Sequence, residues 1–309
     1  MKRVLVTGAR GFIGRRCLPR LAAAGYEIHA VTSQPVPGSE RGLEWHRVDI
    51  FDAPAVRALI RKILPSHLLH LAWVTEPGKY WTSPENLRWV AASLELLHAF
   101  REAKGARVVV AGTCAEYDWN FGVCSETNTP LASATLYGVS KHALSAILDS
   151  FSAQTGLSAA WGRVFFPYGP GEHPSKLVSS VINALLAGRP APCSSGEQQR
   201  DFLHVDDAAG AFVALLDSGV TGAVNIGSGK ATPVKDVVLA IADLLGRPDL
   251  VQLGALPATA EPPLVVAEVR RLREEVGWRP SISLDSGLHS TIVWWRERAS
   301  RAQEQKELP

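Results

Sequence analysis

The 309-residue chain carries 32 basic and 30 acidic residues for a net charge of +2, with 46% hydrophobic and 20% charged residues. That length accommodates one large α/β unit, or such a unit with a smaller lobe, each able to bury a core. With no basic tract and no apolar run of roughly 18 residues, neither a nucleic-acid surface nor a membrane span is expected.

Met1-Lys2-Arg3 leads straight into a short β-like run at 4–7, with no apolar segment ending in a cleavage site, so no secretory signal is expected. Cys17, Cys114, Cys124 and Cys193 share no disulfide or metal-ligand spacing. This fits a reducing cytoplasm, and no metal is expected.

Apolar runs of strand length at 4–7, 27–32, 45–48, 68–72, 108–112 and 159–165 alternate with helix-length periodic segments, of which 84–103 and 136–152 are the clearest. Such alternation predicts an α/β fold, a doubly wound parallel sheet built from βαβ units. After Phe166 the stretch PYGPGEHPS, with three prolines and two glycines, predicts a loop leaving the sheet. Helices are expected at 175–187, 205–216, 234–245 and 284–298, a returning strand at 223–226, and a frayed polar tail from 301. The predicted division is a Rossmann-type dinucleotide-binding domain of 1–166 plus 200–248 and a smaller, discontinuous substrate lobe of 167–199 plus 249–309.

Gly8, Gly11 and Gly14 follow the first strand and open a helix, the setting of a turn that cradles a pyrophosphate. Glycine permits close backbone approach, and the helix N-terminus offers free N–H groups. An ordinary tight turn fits the triplet as well. Where an acidic side chain would grip an adenosine 2′-hydroxyl, the chain has Thr32 and Ser33. With Arg10 nearby, these accommodate a 2′-phosphate that an acid would repel, favouring NADPH, with NAD as the alternative. Arg10 is otherwise a solvated loop residue. Asp49 and Ile50 are positioned to meet the adenine, although Asp49 alone also reads as a turn residue.

Tyr137 and Lys141 stand four residues apart on a predicted helix and so share one face. An ammonium beside a phenol favours the phenolate, which would tune Tyr137 as a general acid. Trp73, Tyr80 and Trp81 lie in an aromatic-rich loop suited to walling a sugar or nicotinamide pocket, or to ordinary packing. His173 reads as a surface histidine, and the Trp294-Trp295 pair as an anchor for the last helix.

TGARGFIG, Asp49-Ile50, His70-Leu71-Ala72, Thr113, YGVSK, RVFFPYGPG and RDFLHVDD follow in order along nearly the whole chain. Together they resemble an extended short-chain dehydrogenase/reductase of the sugar-nucleotide epimerase and dehydratase type. The resemblance implies a cofactor site including Gly8, Arg10, Gly11, Phe12, Ile13, Gly14, Ser33, Asp49, Ile50, Leu71, Ala72 and Lys141. It implies that Thr113 bonds the reacting sugar oxygen, that Tyr137 moves its proton, and that Lys141 holds the nicotinamide ribose. Arg200 is similar to the arginine that pairs with the nucleotide diphosphate; a salt bridge to Asp201 or Asp206 is the other reading. A homodimer through the helices at 84–103 and 136–152 is also implied.

Departures from the family narrow the chemistry. The Asp-Glu pair that follows the threonine in dehydratases is replaced by Cys114-Ala115, which argues against dehydration. Glu116, displaced by one position, either binds a substrate hydroxyl or faces solvent. Trp89 and Phe166 stand where relatives carry asparagine, and Ala258-Thr259-Ala260-Glu261 where they carry a phosphate-binding arginine. The expected activity is NADPH-dependent reduction of the C4 keto group of a nucleotide-linked 4-keto-6-deoxyhexose. An NAD-dependent sugar-nucleotide epimerase is the alternative. A nucleotide-sensing protein without catalysis is disfavoured because Tyr137 and Lys141 are both present.

Overall fold

A sheet of seven parallel strands forms the centre of the computed structural model, which describes residues 2–36, 38, 42–257 and 262–307. The first half alternates β1 (Arg3–Thr7), α1 (Gly14–Ala23), β2 (Glu27–Thr32), β3 (Leu43–Arg47), α2 (Ala53–Ile63), β4 (His67–His70), α3 (Glu85–Glu102), β5 (Arg107–Thr113), β6 (Val123–Cys124), α4 (Leu136–Thr155) and β7 (Ser158–Val164). There follow β8 (Phe166–Tyr168), α5 (Leu177–Leu186), β9 (Ala191–Pro192), β10 (Gln199–Arg200), β11 (Phe202–His204), α6 (Val205–Asp217) and β12 (Gly222–Ile226). The chain ends with β13 (Thr232–Pro233), α7 (Val234–Leu245), β14 (Val251–Gln252), β15 (Leu264–Ala267), α8 (Arg270–Glu274) and α9 (Leu284–Glu307).

Strand order in the main sheet is β12-β7-β5-β4-β1-β2-β3. The winding reverses between β1 and β4, and the carboxyl ends of those strands form the crevice where such sheets bind ligands. Both faces are covered over the central strands, which are mainly apolar, whereas the edge strand β3 carries Glu44, His46 and Arg47. In β1, Val4 and Val6 join the cluster under α1 and α6, whereas Leu5 joins the opposite one with Val56, Ile60, Leu96 and Leu144. Each such fully buried side chain contributes about 1.5–3 kcal/mol relative to exposure.

Local chemistry sets the helix ends that matter for the site. The Thr135 hydroxyl accepts from Gly138 N at 3.2 Å and starts α4, which Gly156 closes at φ 68°. The Asp52 carboxylate caps α2 through Ala55 N at 3.0 Å.

Several expectations change. The predicted loop after Phe166 begins as a strand, because β8 pairs in parallel with β11. α7, expected with the Rossmann domain, buries Val237, Val238 and Ile241 against Ile182 of α5 and Ile292 and Trp295 of α9. Residues 264–272, assigned by sequence to the lobe, instead place Val265, Ala267 and Leu272 in the core beneath α1 and α6. The tail is helical through Glu307, and 258–261 and 308–309 lie outside the described residues. Trp295 anchors α9, its Nε1 donating to Ser179 Oγ at 3.2 Å. No helix among the described residues is long and apolar enough to cross a membrane. All four cysteines are free and buried.

Candidate active site

Gly8 leaves β1 at φ 68°, a conformation that favours glycine, and Gly11 N donates to Gly8 O at 2.8 Å. A Cβ on Gly8 would lie 2.7 Å from Ala72 N and 2.8 Å from Leu71 C; one on Gly14 would lie 2.1 Å from Gly8 O. The three glycines therefore let two backbone segments and the start of α1 meet with no side chain between them. This cradle fits a dinucleotide pyrophosphate, with Phe12 and Ile13 at the helix entrance. Below it Thr7 Oγ1 lies 2.6 Å from His70 Nδ1, and His70 Nε2 lies 2.8 Å from Ser93 Oγ. Burial pushes His70 down to about 3, so the ring is neutral and serves as a spacer.

Where the sequence places the adenosine of a dinucleotide, β2 finishes with Thr32, whose hydroxyl accepts from Gln34 N at 3.1 Å, and is followed by exposed Ser33. Arg10 lies across this segment, Nη1 donating to Pro35 O at 2.8 Å. Asp49 accepts from Phe51 N at 3.0 Å, the turn geometry its alternative reading required. Ile50 packs against the core beside α2 and α3.

α4 presents Tyr137 and Lys141 to the end of β5. Tyr137 N donates to Trp81 O at 3.1 Å, and the ring meets Tyr80 and Trp81 edge-on at 4.9 and 5.7 Å. Burial raises the Tyr137 pKa; a hydrogen bond with the Thr113 side chain opposes the rise, and the nearby Glu116 carboxylate adds to it. The Thr113 hydroxyl also accepts from Ala115 N at 3.2 Å. Thr113 and Tyr137 thus present two hydroxyls side by side.

Lys141 departs from its expected part as the tuner of Tyr137. Its ammonium donates to Ala111 O at 2.7 Å and lies 3.8 Å from the centre of the Trp73 ring. Desolvation lowers it to about 7 against a weaker pull from Glu116. Since its pKa when unfolded is 10.5, the unfolded chain binds one more proton between about pH 7 and 10.5, and stability from this group rises with pH across that window. We expect the melting temperature of Lys141→Met minus that of wild type, both without cofactor, to shrink as pH rises through that range. A difference independent of pH in thermal melts would show that Lys141 is not desolvated.

Glu116 is a correction. It is fully buried and paired with Arg163, the carboxylate accepting from Arg163 Nε at 2.7 Å, Trp161 Nε1 at 2.9 Å and Thr113 N at 2.8 Å. With three donors inside the protein it neither binds a substrate hydroxyl nor faces solvent. It holds the backbone of Thr113 instead. Burial works against the Arg163 charge, but Glu116 and Tyr117 outweigh it and raise the Arg163 pKa. Sequence reasoning missed Arg163; a lone charge within the apolar run 159–165 was the available signal.

Arg200 is buried, Nη1 donating to Gln199 O and Pro262 O at 2.9 and 3.0 Å, with its guanidinium 5.7 Å from the Phe166 ring centre. The salt bridges weighed for it do not form with either aspartate. Asp201 accepts from Ser228 N, Gly229 N and Ala267 N, and Asp206 faces Arg16 and Arg20. Trp73 donates from Nε1 to Asn86 Oδ1 at 2.8 Å and forms the floor under Lys141. His173 is exposed beside Ser175.

The model of the NAD dependent epimerase/dehydratase family matches residues 4–227. The chain belongs to this family. Members that it resembles differ in their chemistry. It is 27% identical to a UDP-glucose 4-epimerase of Mycolicibacterium smegmatis, over 96% of this chain and 99% of that one. It is also 27% identical to a GDP-6-deoxy-D-mannose reductase of Pseudomonas aeruginosa, over 96% and 98%. Among solved structures, MoeE5 in complex with UDP-glucuronic acid and NAD is 33% identical, with a TM-score of 0.84 over 96% of this chain and 99% of that one. This epimerase/dehydratase family member is therefore equally near a reductase and an epimerase, and its own residues must discriminate.

Proposed function

We propose that this family member is an NADPH-dependent reductase of the C4 keto group of a nucleotide-linked 4-keto-6-deoxyhexose. The observation that carries the reading is the end of β2. Thr32 and exposed Ser33 put no carboxylate at these two positions, and Arg10 lies over the adjoining segment, so a 2′-phosphate meets no repulsion from them and has a cation to hand. The absence of a dehydratase acid and base supports it further, since Cys114 and Ala115 follow Thr113 and Glu116 is committed to Arg163.

Bound nicotinamide would supply the hydride. Gly8, Gly11, Gly14, Leu71 and Ala72 would hold the pyrophosphate side, and Lys141 the ribose. The Tyr137 hydroxyl would donate its proton to the sugar oxygen, and the Thr113 hydroxyl would steady the charge developing there. Tyr80 and Trp81 shield Tyr137 from water. The nucleotide would lie towards Arg200 and the lobe of α5, α7 and α9. Exposed Leu87 on α3, with Val139 and Ile147 on α4, supports a homodimer through those helices, and a mass near 33.3 kDa in sedimentation would remove that part.

Titration with NADPH and NADH, followed by tryptophan fluorescence, tests the cofactor reading. We expect NADPH to bind at least about tenfold more tightly, a difference of about 1.4 kcal/mol, and to exchange freely. The second reading, an NAD-dependent epimerase, draws on the NAD in the MoeE5 complex. NAD retained through purification, with sugar interconversion lacking added cofactor, would replace the first reading by the second.

A further inference from the structure

Away from the cleft, β2 and β3 pair in parallel at the edge of the main sheet, with His29 opposite Glu44 and Val31 opposite His46. Side chains alternate along a strand, so Glu27, His29, Glu44 and His46 all project from one face. His29 Nδ1 lies 3.0 Å from His46 Nε2, Glu44 Oε2 lies 3.5 Å from His29 Nδ1, and Glu44 Oε1 lies 3.8 Å from His46 Nε2. One donor atom from each residue falls within 4.8 Å of the others. Zinc–nitrogen and zinc–oxygen bonds of about 2.0–2.2 Å in a tetrahedron set neighbouring ligand atoms about 3.3–3.5 Å apart. The spacings found here bracket that value.

The surroundings are those of a ligand set. The two imidazoles are 5% and 8% exposed, so packing fixes their orientation. His29 Nε2, on the far side of its ring, lies 3.2 Å from Glu27 Oε1, and Glu27 in turn accepts from Arg3 Nε at 3.1 Å. A carboxylate behind a histidine in this way fixes its tautomer and raises its strength as a metal ligand. Glu44 is the exposed member, its side chain 58% accessible, which leaves an entry path and room for water as a fourth ligand.

We propose that His29, His46 and Glu44 form a divalent-cation site of zinc type that clamps the edge strand β3 onto β2, with Glu27 as the positioning carboxylate behind His29. The site is separate from the redox machinery. Its role is to hold the strands that lead to Ser33 and Asp49, the adenosine end of the cleft.

The test uses the full chain freed of metal with a chelator, with zinc chloride as the probe. Calorimetry and metal analysis should give one zinc per chain with micromolar or tighter affinity, and a higher melting temperature in zinc. Glu44→Gln, at an exposed position that does not endanger folding, should weaken binding by at least the roughly 10–100-fold that loss of an outer-shell partner costs, and His46→Asn should abolish it. Fluorescence titration with NADPH should show both variants still binding cofactor. Failure to take up stoichiometric zinc would overturn the proposal, as would uptake left unchanged in both variants, which would locate the metal elsewhere.

Discussion

Tyr137→Phe is expected to lower turnover of a nucleotide-linked 4-keto-6-deoxyhexose by about 10²–10⁴-fold, equivalent to about 3–5 kcal/mol of barrier. The substitution removes one oxygen. The ring keeps its edge-on contacts with Tyr80 and Trp81, and the backbone bond to Trp81 is untouched, so the fold and the cofactor cradle are retained. What disappears is the proton on the hydroxyl beside Thr113. Burial holds that proton firmly, which suits a group that must keep it until charge develops on the substrate oxygen. Stopped-flow measurement with NADPH and purified substrate should show nearly unchanged cofactor affinity with a collapsed rate. Turnover close to wild type would eliminate Tyr137 as the acid and with it the proposed mechanism.

Glu116→Gln is expected to destabilise the protein by about 3–5 kcal/mol, because it leaves the Arg163 guanidinium buried without its counter-charge. The two side chains are 0% and 3% exposed, so water cannot compensate. Arg163 Nη1 also donates to the Tyr117 hydroxyl at 3.0 Å, which donates to Asn225 Oδ1 at 2.8 Å, so the loss propagates towards β12. Calorimetry should show a melting temperature lower by several degrees. kcat should fall too, since Thr113 N loses its charged acceptor and the hydroxyl beside it loses its register. A substrate ligand would behave differently: KM would rise and stability would stay where it was. Unchanged melting with a raised KM would restore the reading of Glu116 as a substrate contact.

The order of strands and helices, the glycine turn and the pairing of Tyr137 with Lys141 on one helix were legible in the chain, because each depends on residues near one another in sequence. Backbone geometry makes an apolar run a buried strand, makes glycine the residue for a positive φ, and puts residues four apart on one helical face. Family membership followed from the same short motifs in their order. What each charge does was not legible. Lys141 turns to Ala111 O and Trp73, Glu116 is taken by Arg163 from another strand, and Arg200 bonds Pro262 rather than its neighbouring aspartate. Sequence patterning also placed α7 with the sheet, whereas it packs against α5 and α9. A buried charge takes whichever partner the folded chain brings within hydrogen-bond reach, and an amphipathic helix takes whichever apolar face is left uncovered. Neither choice is encoded by local spacing, so only the tertiary structure decides it.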